Sequence, residues 1–212
     1  MNVFYDITRF PDLSTFRLLP LNMIYLKQGE NINQIAKDAR TKNFPVCLEI
    51  EDTTLDSSGV ASTLRTMKQE EPNLSVGVCG MAPYASWSMS LMTNKPDTFE
   101  WWRSTNDRQA EIAINADCLY PGVYMLSPDI EAWKGSFHAI KKESERYKKP
   151  IRYLVCPTIE PVGEEFIPIV VWSEMLDVLN YYQSEIVIWQ HGFQHDRFSE
   201  VSEWFVKLLS HV

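Results

Sequence analysis

Val46-Cys47-Leu48-Glu49-Ile50-Glu51-Asp52 is an apolar run that closes on three acids. In an extended chain successive side chains alternate faces, so Glu49 and Glu51 share one face, roughly 6.5 to 7 Å apart at Cα, and Leu48 and Ile50 share the other. The run is one of seven short β-rich stretches: Val3 to Ile7, Asn22 to Leu26, Val46 to Glu51, Ser75 to Met81, Cys118 to Met125, Ile151 to Cys156 and Glu185 to Gln190. Most are continuously apolar, the pattern of parallel strands covered on both faces. Between them, helical spacing of apolar residues predicts helices over Asn31 to Lys42, Gly59 to Gln69, Thr105 to Ala116, Trp133 to Lys148 and Ser173 to Tyr182, with a last one over Ser199 to Leu209. No linker, charge block or repeat interrupts the alternation, so residues 1–212 are expected to form one α/β domain.

The choice lies between a doubly wound sheet and a (β/α) barrel. The phosphate signatures of the first, GxGxxG and GxxxxGK[ST], are missing, and the chain has only eight glycines. A long connection from Ala82 to Thr105, carrying Tyr84, Trp87, Trp101 and Trp102, follows the fourth strand, and such strand-to-helix connections build the active rim of a barrel. A TIM-like barrel of about seven strands is therefore expected. If Leu48 and Ile50 pack on its helices, Glu49 and Glu51 look inward near the C-terminal mouth. Burial and like-charge proximity then favour a shared proton, which raises one carboxyl into general-acid range, the requirement of glycoside hydrolysis. Solvation, or pairing with Lys or Arg, is the other reason acids collect at strand ends.

With 45% hydrophobic and 23% charged residues the chain is globular in composition, not disordered. Asp and Glu number 28 against 20 Lys and Arg, a net charge of -8, so its field repels phosphate backbones and anionic lipid; neither nucleic acid nor a membrane is an expected partner. No apolar run approaches the ~20 residues of a membrane span, and MNVFYDITRF lacks the pattern of a signal peptide, so a cytoplasmic location is expected, with release by another route still compatible. Cys47, Cys79, Cys118 and Cys156 form no CxxC pair and sit in or beside apolar runs, as buried reduced thiols do. His191 and His195 flank Gly192 just past a strand, which favours a loop over a helical metal clamp. No metal and no other cofactor is expected. A nucleophilic Ser elbow, G-x-S-x-G, is missing too.

Further candidates cluster at strand ends. Asp6 closes the first strand and Tyr25 the second; both are candidates for the mouth, against a turn role for Asp6 and ordinary packing for Tyr25. Tyr84 lies on the rim connection, and Gln190 is placed to hydrogen-bond a sugar. Asp129 and Glu131 suit either rim contacts or the start of a helix, whose dipole favours acids. Of Trp101 and Trp102, read as preceding a helix that begins near Asn106, one suits the core and the other a ligand.

Several separated segments together resemble the hyaluronidase family. Leu48-Glu49-Ile50-Glu51 is similar to its I-D-W-E strand, Leu119-Tyr120-Pro121-Gly122-Val123-Tyr124-Met125 to its Y-P-S-I-Y-L strand, and Lys149-Pro150-Ile151-Arg152-Tyr153 through Cys156-Pro157-Thr158 to its P-V-x-V-Y-x-R-P-T segment. Ile186-Val187-Ile188-Trp189 is similar to its G-V-V-x-W strand, and Gly77 to Tyr84 to its G-x-Y-G-F-P turn, in the same order. The resemblance implies a distorted seven-stranded barrel with Glu51 as proton donor. It places Glu49 as the carboxylate that orients the substrate's N-acetyl group, Tyr124 near the acetamido group, and Trp189 as the pocket floor. Glu49 stands where the family has Asp and reaches one methylene farther; Cys79 stands where it keeps Tyr. Because hyaluronan is a polyanion and the chain carries -8, the ligand expected is a neutral carbohydrate, with one containing N-acetylhexosamine as the candidate. A non-catalytic carbohydrate-binding or structural protein on a degenerate glycosidase barrel is the alternative, motivated by those two replacements.

Overall fold

The computed structural model describes residues 1–6, 18–50, 55–84, 96–159, 165–188 and 202–211. In chain order the elements are β1 (Val3–Asp6), β2 (Leu19–Leu26), α1 (Ile32–Lys42), β3 (Val46–Ile50), α2 (Ser57–Glu70), β4 (Val76–Cys79), α3 (Pro96–Arg108), α4 (Ala110–Asn115), β5 (Cys118–Tyr120), α5 (Ile130–Glu145), β6 (Arg152–Val155), α6 (Ile169–Tyr181), β7 (Glu185–Ile188) and α7 (Ser202–Leu209). The strands pair in the order β5-β4-β3-β2-β1-β7-β6, every neighbour parallel. The two outer strands then meet: parallel bridges join Leu119 to Ile151 and Gly122 to Leu154. Backbone bonds of 2.9 Å from Leu119 to Pro150, from Leu154 to Pro121 and from Val123 to Leu154 close the ring. A seven-stranded TIM-like barrel results.

Side-chain alternation divides the core into layers. Val46, Leu48, Val76, Val78 and Leu119 point outward onto α1, α2 and α4, where Ala36, Ala39, Val60, Leu64, Met67, Ile112 and Ala113 receive them. Val3, Tyr5, Tyr153, Val155, Ile186 and Ile188 point outward onto a largely aromatic shell that includes Trp102, Trp133, Phe137, Trp172 and Trp204. Inward lie Phe4, Leu21, Met23, Cys47, Cys118, Tyr120, Leu154, Cys156 and Val187. Local signals start the helices: Asn31, Asp56 and Asp129 each cap a first turn, accepting backbone N–H bonds from Asn33 and Gln34, from Gly59, and from Glu131 and Ala132. Among the described residues no helix is long and apolar enough to cross a membrane.

Several expected boundaries are corrected. The stretch from Ala82 to Thr105 is not all connection, and no single helix runs from Thr105 to Ala116: α3 spans Pro96–Arg108 and a break at Gln109 separates it from α4. Trp101 and Trp102 therefore lie within a helix, about 100° apart around its axis, which leaves Trp101 half-exposed and Trp102 fully buried. Trp133, Trp172 and Trp204 are core as well. β2 begins three residues earlier than the pattern predicts and runs through Pro20. β4 stops at Cys79, before Gly80 with φ of 64°.

Candidate active site at the barrel mouth

The C-terminal ends of the parallel strands form the mouth, and β3 sets its chemistry. Val46 and Leu48 belong to the outer layer with Ile50 packed against it, whereas Cys47 belongs to the interior. Glu49 takes the face of Cys47 by alternation. It stands in register with Tyr25 on β2, and Tyr25 is half-buried against the interior cluster. Glu51, Trp189 and Gln190 lie outside the described residues, as do His191 and His195. Asp6 closes β1 opposite Leu21; its side chain also lies outside the described residues.

Tyr124 reaches the same region from the segment after β5. An ideal Cβ on Gly122 would sit 2.5 Å from the Tyr124 ring, so only glycine lets the ring fold back over the chain there. Tyr124 packs against the interior cluster beside Tyr25 and Cys79. Burial holds its phenol well above the usual range, and the potentials of Cys79, Cys156, Glu49 and Cys47 push it the same way. The hydroxyl therefore holds its proton more tightly than an ordinary tyrosine, within electrostatic reach of the Glu49 carboxyl.

All four thiols line this interior, on β3, at the end of β4, on β5 and just past β6. Burial pushes Cys47 up, helped by a hydrogen bond to Cys79, and raises Cys118 to about 11. Cys156 lies 2.9 Å from the Thr158 hydroxyl. Among the described residues no three His, Cys, Asp or Glu side chains converge as a metal site.

Below the thiols Arg152 closes the floor. Its guanidinium donates to the Tyr120 hydroxyl and to Glu185, each at 3.0 Å, and lies over the Phe4 ring. An arginine inside the apolar run Ile151-Arg152-Tyr153-Leu154 was the signal for this inward charge. On the rim, Tyr84 is partly exposed and its backbone is held by α3: its N–H donates to Asn106 Oδ1 and its carbonyl accepts from Trp102 Nε1, both at 2.8 Å. Asp129 and Glu131 serve α5, as its cap and as a partner of Lys134.

The barrel is 12% identical to bee venom hyaluronidase, solved in complex with a hyaluronic acid tetramer, at a TM-score of 0.71 over 100% of this chain and 98% of that one. The fold is hyaluronidase-like. An isomerase from Streptomyces coelicolor A3(2) aligns at TM-score 0.45 and 10% identity over 88% of this chain and 51% of its own. The catalytic domain of a mannanase from Streptomyces sp. SirexAA-E aligns at 0.43 and 10% over 89% and 65%. No family model and no curated protein sequence matches the chain. The hyaluronidase-like barrel thus rests on its backbone, and its mouth holds Glu49, Tyr25, Cys79 and Tyr124 together.

Proposed function

We propose that the chain is a retaining, substrate-assisted glycoside hydrolase acting on a neutral glycan that contains N-acetylhexosamine. The observation that supports it most is the alternation of β3, with Leu48 and Ile50 on the helix side and Cys47 inside, because it turns Glu49 into the mouth beside Tyr124. Glu51 follows Glu49 by two residues in the sequence, the spacing that an extended chain needs to share a face, and this reading assigns it there.

In this reading Glu51 protonates the leaving glycosidic oxygen while the substrate's acetamido oxygen attacks the anomeric carbon from the opposite side. Glu49 accepts a hydrogen bond from the acetamido N–H and stabilises the positive charge that develops as the ring closes. Tyr124 donates to the acetamido oxygen side of the group and fixes its direction. Water then opens the cyclic intermediate, giving its proton to Glu51, so the anomeric configuration is retained. Trp189 supplies the flat floor under the sugar, Asp6, Tyr25 and Gln190 contact its hydroxyls, and Tyr84 meets the glycan farther out, on the rim. No cofactor enters.

Glu51→Gln is the test. Turnover of neutral N-acetylhexosaminide oligomers should fall by about 10² to 10⁴ with the circular dichroism unchanged; an unchanged rate would overturn the assignment. Wild-type protein that binds such oligomers but never cleaves them is instead the non-catalytic carbohydrate-binding barrel.

A further inference from the structure

We infer that Tyr84 and Trp101 form a stacking subsite on the rim, which holds an outlying pyranose ring of a neutral oligosaccharide; this rests on the glycan reading above. Their ring centroids are 6.4 Å apart and their planes stand at 85°. Perpendicular rings at that spacing make an L-shaped corner. Trp101 is 49% and Tyr84 37% exposed, so both rings meet solvent.

What separates this pair from ordinary surface aromatics is how it is held. Both backbone polar groups of Tyr84 are tied to α3, through Asn106 and Trp102, each fully buried. These two lie four residues apart, hence on one side of the helix. Asn106 is fixed in turn, its carbonyl accepting the Tyr147 hydroxyl at 2.9 Å. Trp101 sits beside Trp102 on the same helix, so one rigid element positions both rings. A prearranged aromatic surface loses little entropy on binding, which is what a stacking partner needs. Tyr84 follows Cys79, at the end of β4, by five residues, which puts the corner past the C-terminal end of the strand that neighbours β3. The apolar C–H face of a pyranose stacks on one such ring while the sugar's edge meets the other, and a chain of net charge -8 disfavours an anionic sugar there.

The test is a titration of the full chain with the dimer and the tetramer of β-1,4-linked N-acetylglucosamine, and with a hyaluronan tetramer, by calorimetry and tryptophan fluorescence. Trp101→Ala should weaken the neutral tetramer about tenfold and leave the dimer within about twofold, and Tyr84→Ala should do the same while Tyr84→Phe does not. Because Trp101 is half-exposed, its loss should leave the melting temperature in place, checked on the same samples. Equal tetramer affinity in Trp101→Ala and wild type, or equal losses for dimer and tetramer, overturns the subsite while the glycan reading stands. Wild-type protein that binds neither neutral oligomer overturns both, and tighter binding of the hyaluronan tetramer overturns the neutral ligand.

Discussion

The guanidinium of Arg152 lies 4.2 Å from the centre of the Phe4 ring and joins β6 to β1 across the barrel floor. Its other contacts, Tyr120 on β5 and Glu185 on β7, extend the tie to four strands, and Asn2 completes it by donating to Glu185 at 2.9 Å. The side chain is only 16% exposed and that of Glu185 32%. Arg152→Met removes the partner of a buried phenol and of a mostly buried carboxylate, which should cost about 2 to 4 kcal/mol. For a chain of this length that lowers the melting temperature by roughly 5 to 15 °C. Arg152→Lys should recover less than half, because an ammonium cannot reach two acceptors in a fork or cover a ring as a guanidinium does. A lysine variant as stable as wild type would show that the floor needs only charge.

Two glycines should respond to the same substitution with opposite signs. On Gly77 a Cβ would lie 2.0 Å from the Cys118 carbonyl and 2.6 Å from the Tyr120 ring, inside the barrel where backbone cannot yield. Gly77→Ala is expected to destabilise by at least about 1 to 3 kcal/mol through overpacking, seen as a lower denaturation midpoint or insoluble expression. Gly135 is exposed on α5 and a Cβ there meets nothing within 4 Å. Gly135→Ala should stabilise by about 0.5 to 1 kcal/mol, since it relieves the entropic cost of glycine within a helix.

The backbone was legible because its pattern is regular. The strand-helix alternation and seven β runs are local properties, and Leu48 and Ile50 against Cys47 show the parity of β3 in four letters. Trp101 and Trp102 were misread as preceding the helix because large aromatics beside a strand end suit a rim loop as well as a helix face, and only the burial of Trp102 against α5 to α7 and its bond to the Tyr84 backbone decide for the helix. The meeting of four thiols was not legible, since each sits on a different strand or strand end and only barrel closure brings them together. Arg152 went unread although it is a charge in an apolar run, because its partners Phe4, Tyr120 and Glu185 lie far from it in sequence.

Those thiols make the fold sensitive to alkali. Cys118 keeps its proton up to about 11, and Cys47 is held well above its ordinary value, both chiefly by burial. Unfolded thiols ionise near about 8.5, so above that pH the unfolded chain binds fewer protons than the folded one and stability falls as pH rises. The contribution of Cys118 is fully present below the unfolded value and is lost between about pH 9 and 11, worth about 2 to 3 kcal/mol. Tyr120 and Tyr124, also raised by burial, act with the same sign at higher pH. Denaturant titrations at unit steps from pH 7 to 11 should show this decline, and Cys118→Ala should flatten it between pH 9 and 11. A decline of the same slope in that variant would assign it to other groups.

Glu49 and Tyr124 can be tested without any substrate. The carboxylate is among the charges that hold the Tyr124 phenol up, after burial and the two nearer thiols. Glu49→Gln removes a negative potential and so must lower that phenol's ionisation, while burial keeps it above the ordinary tyrosine range. Ultraviolet difference titration carried through the alkaline range should show one phenol ionising at lower pH in Glu49→Gln than in wild type. The early phase should vanish in the double variant with Tyr124→Phe, which keeps the ring over Gly122 and loses only the hydroxyl. If Glu49 turned away from the mouth, the two titrations would superimpose, and the carboxylate would have no electrostatic hold on the group that the proposed reaction asks it to work beside.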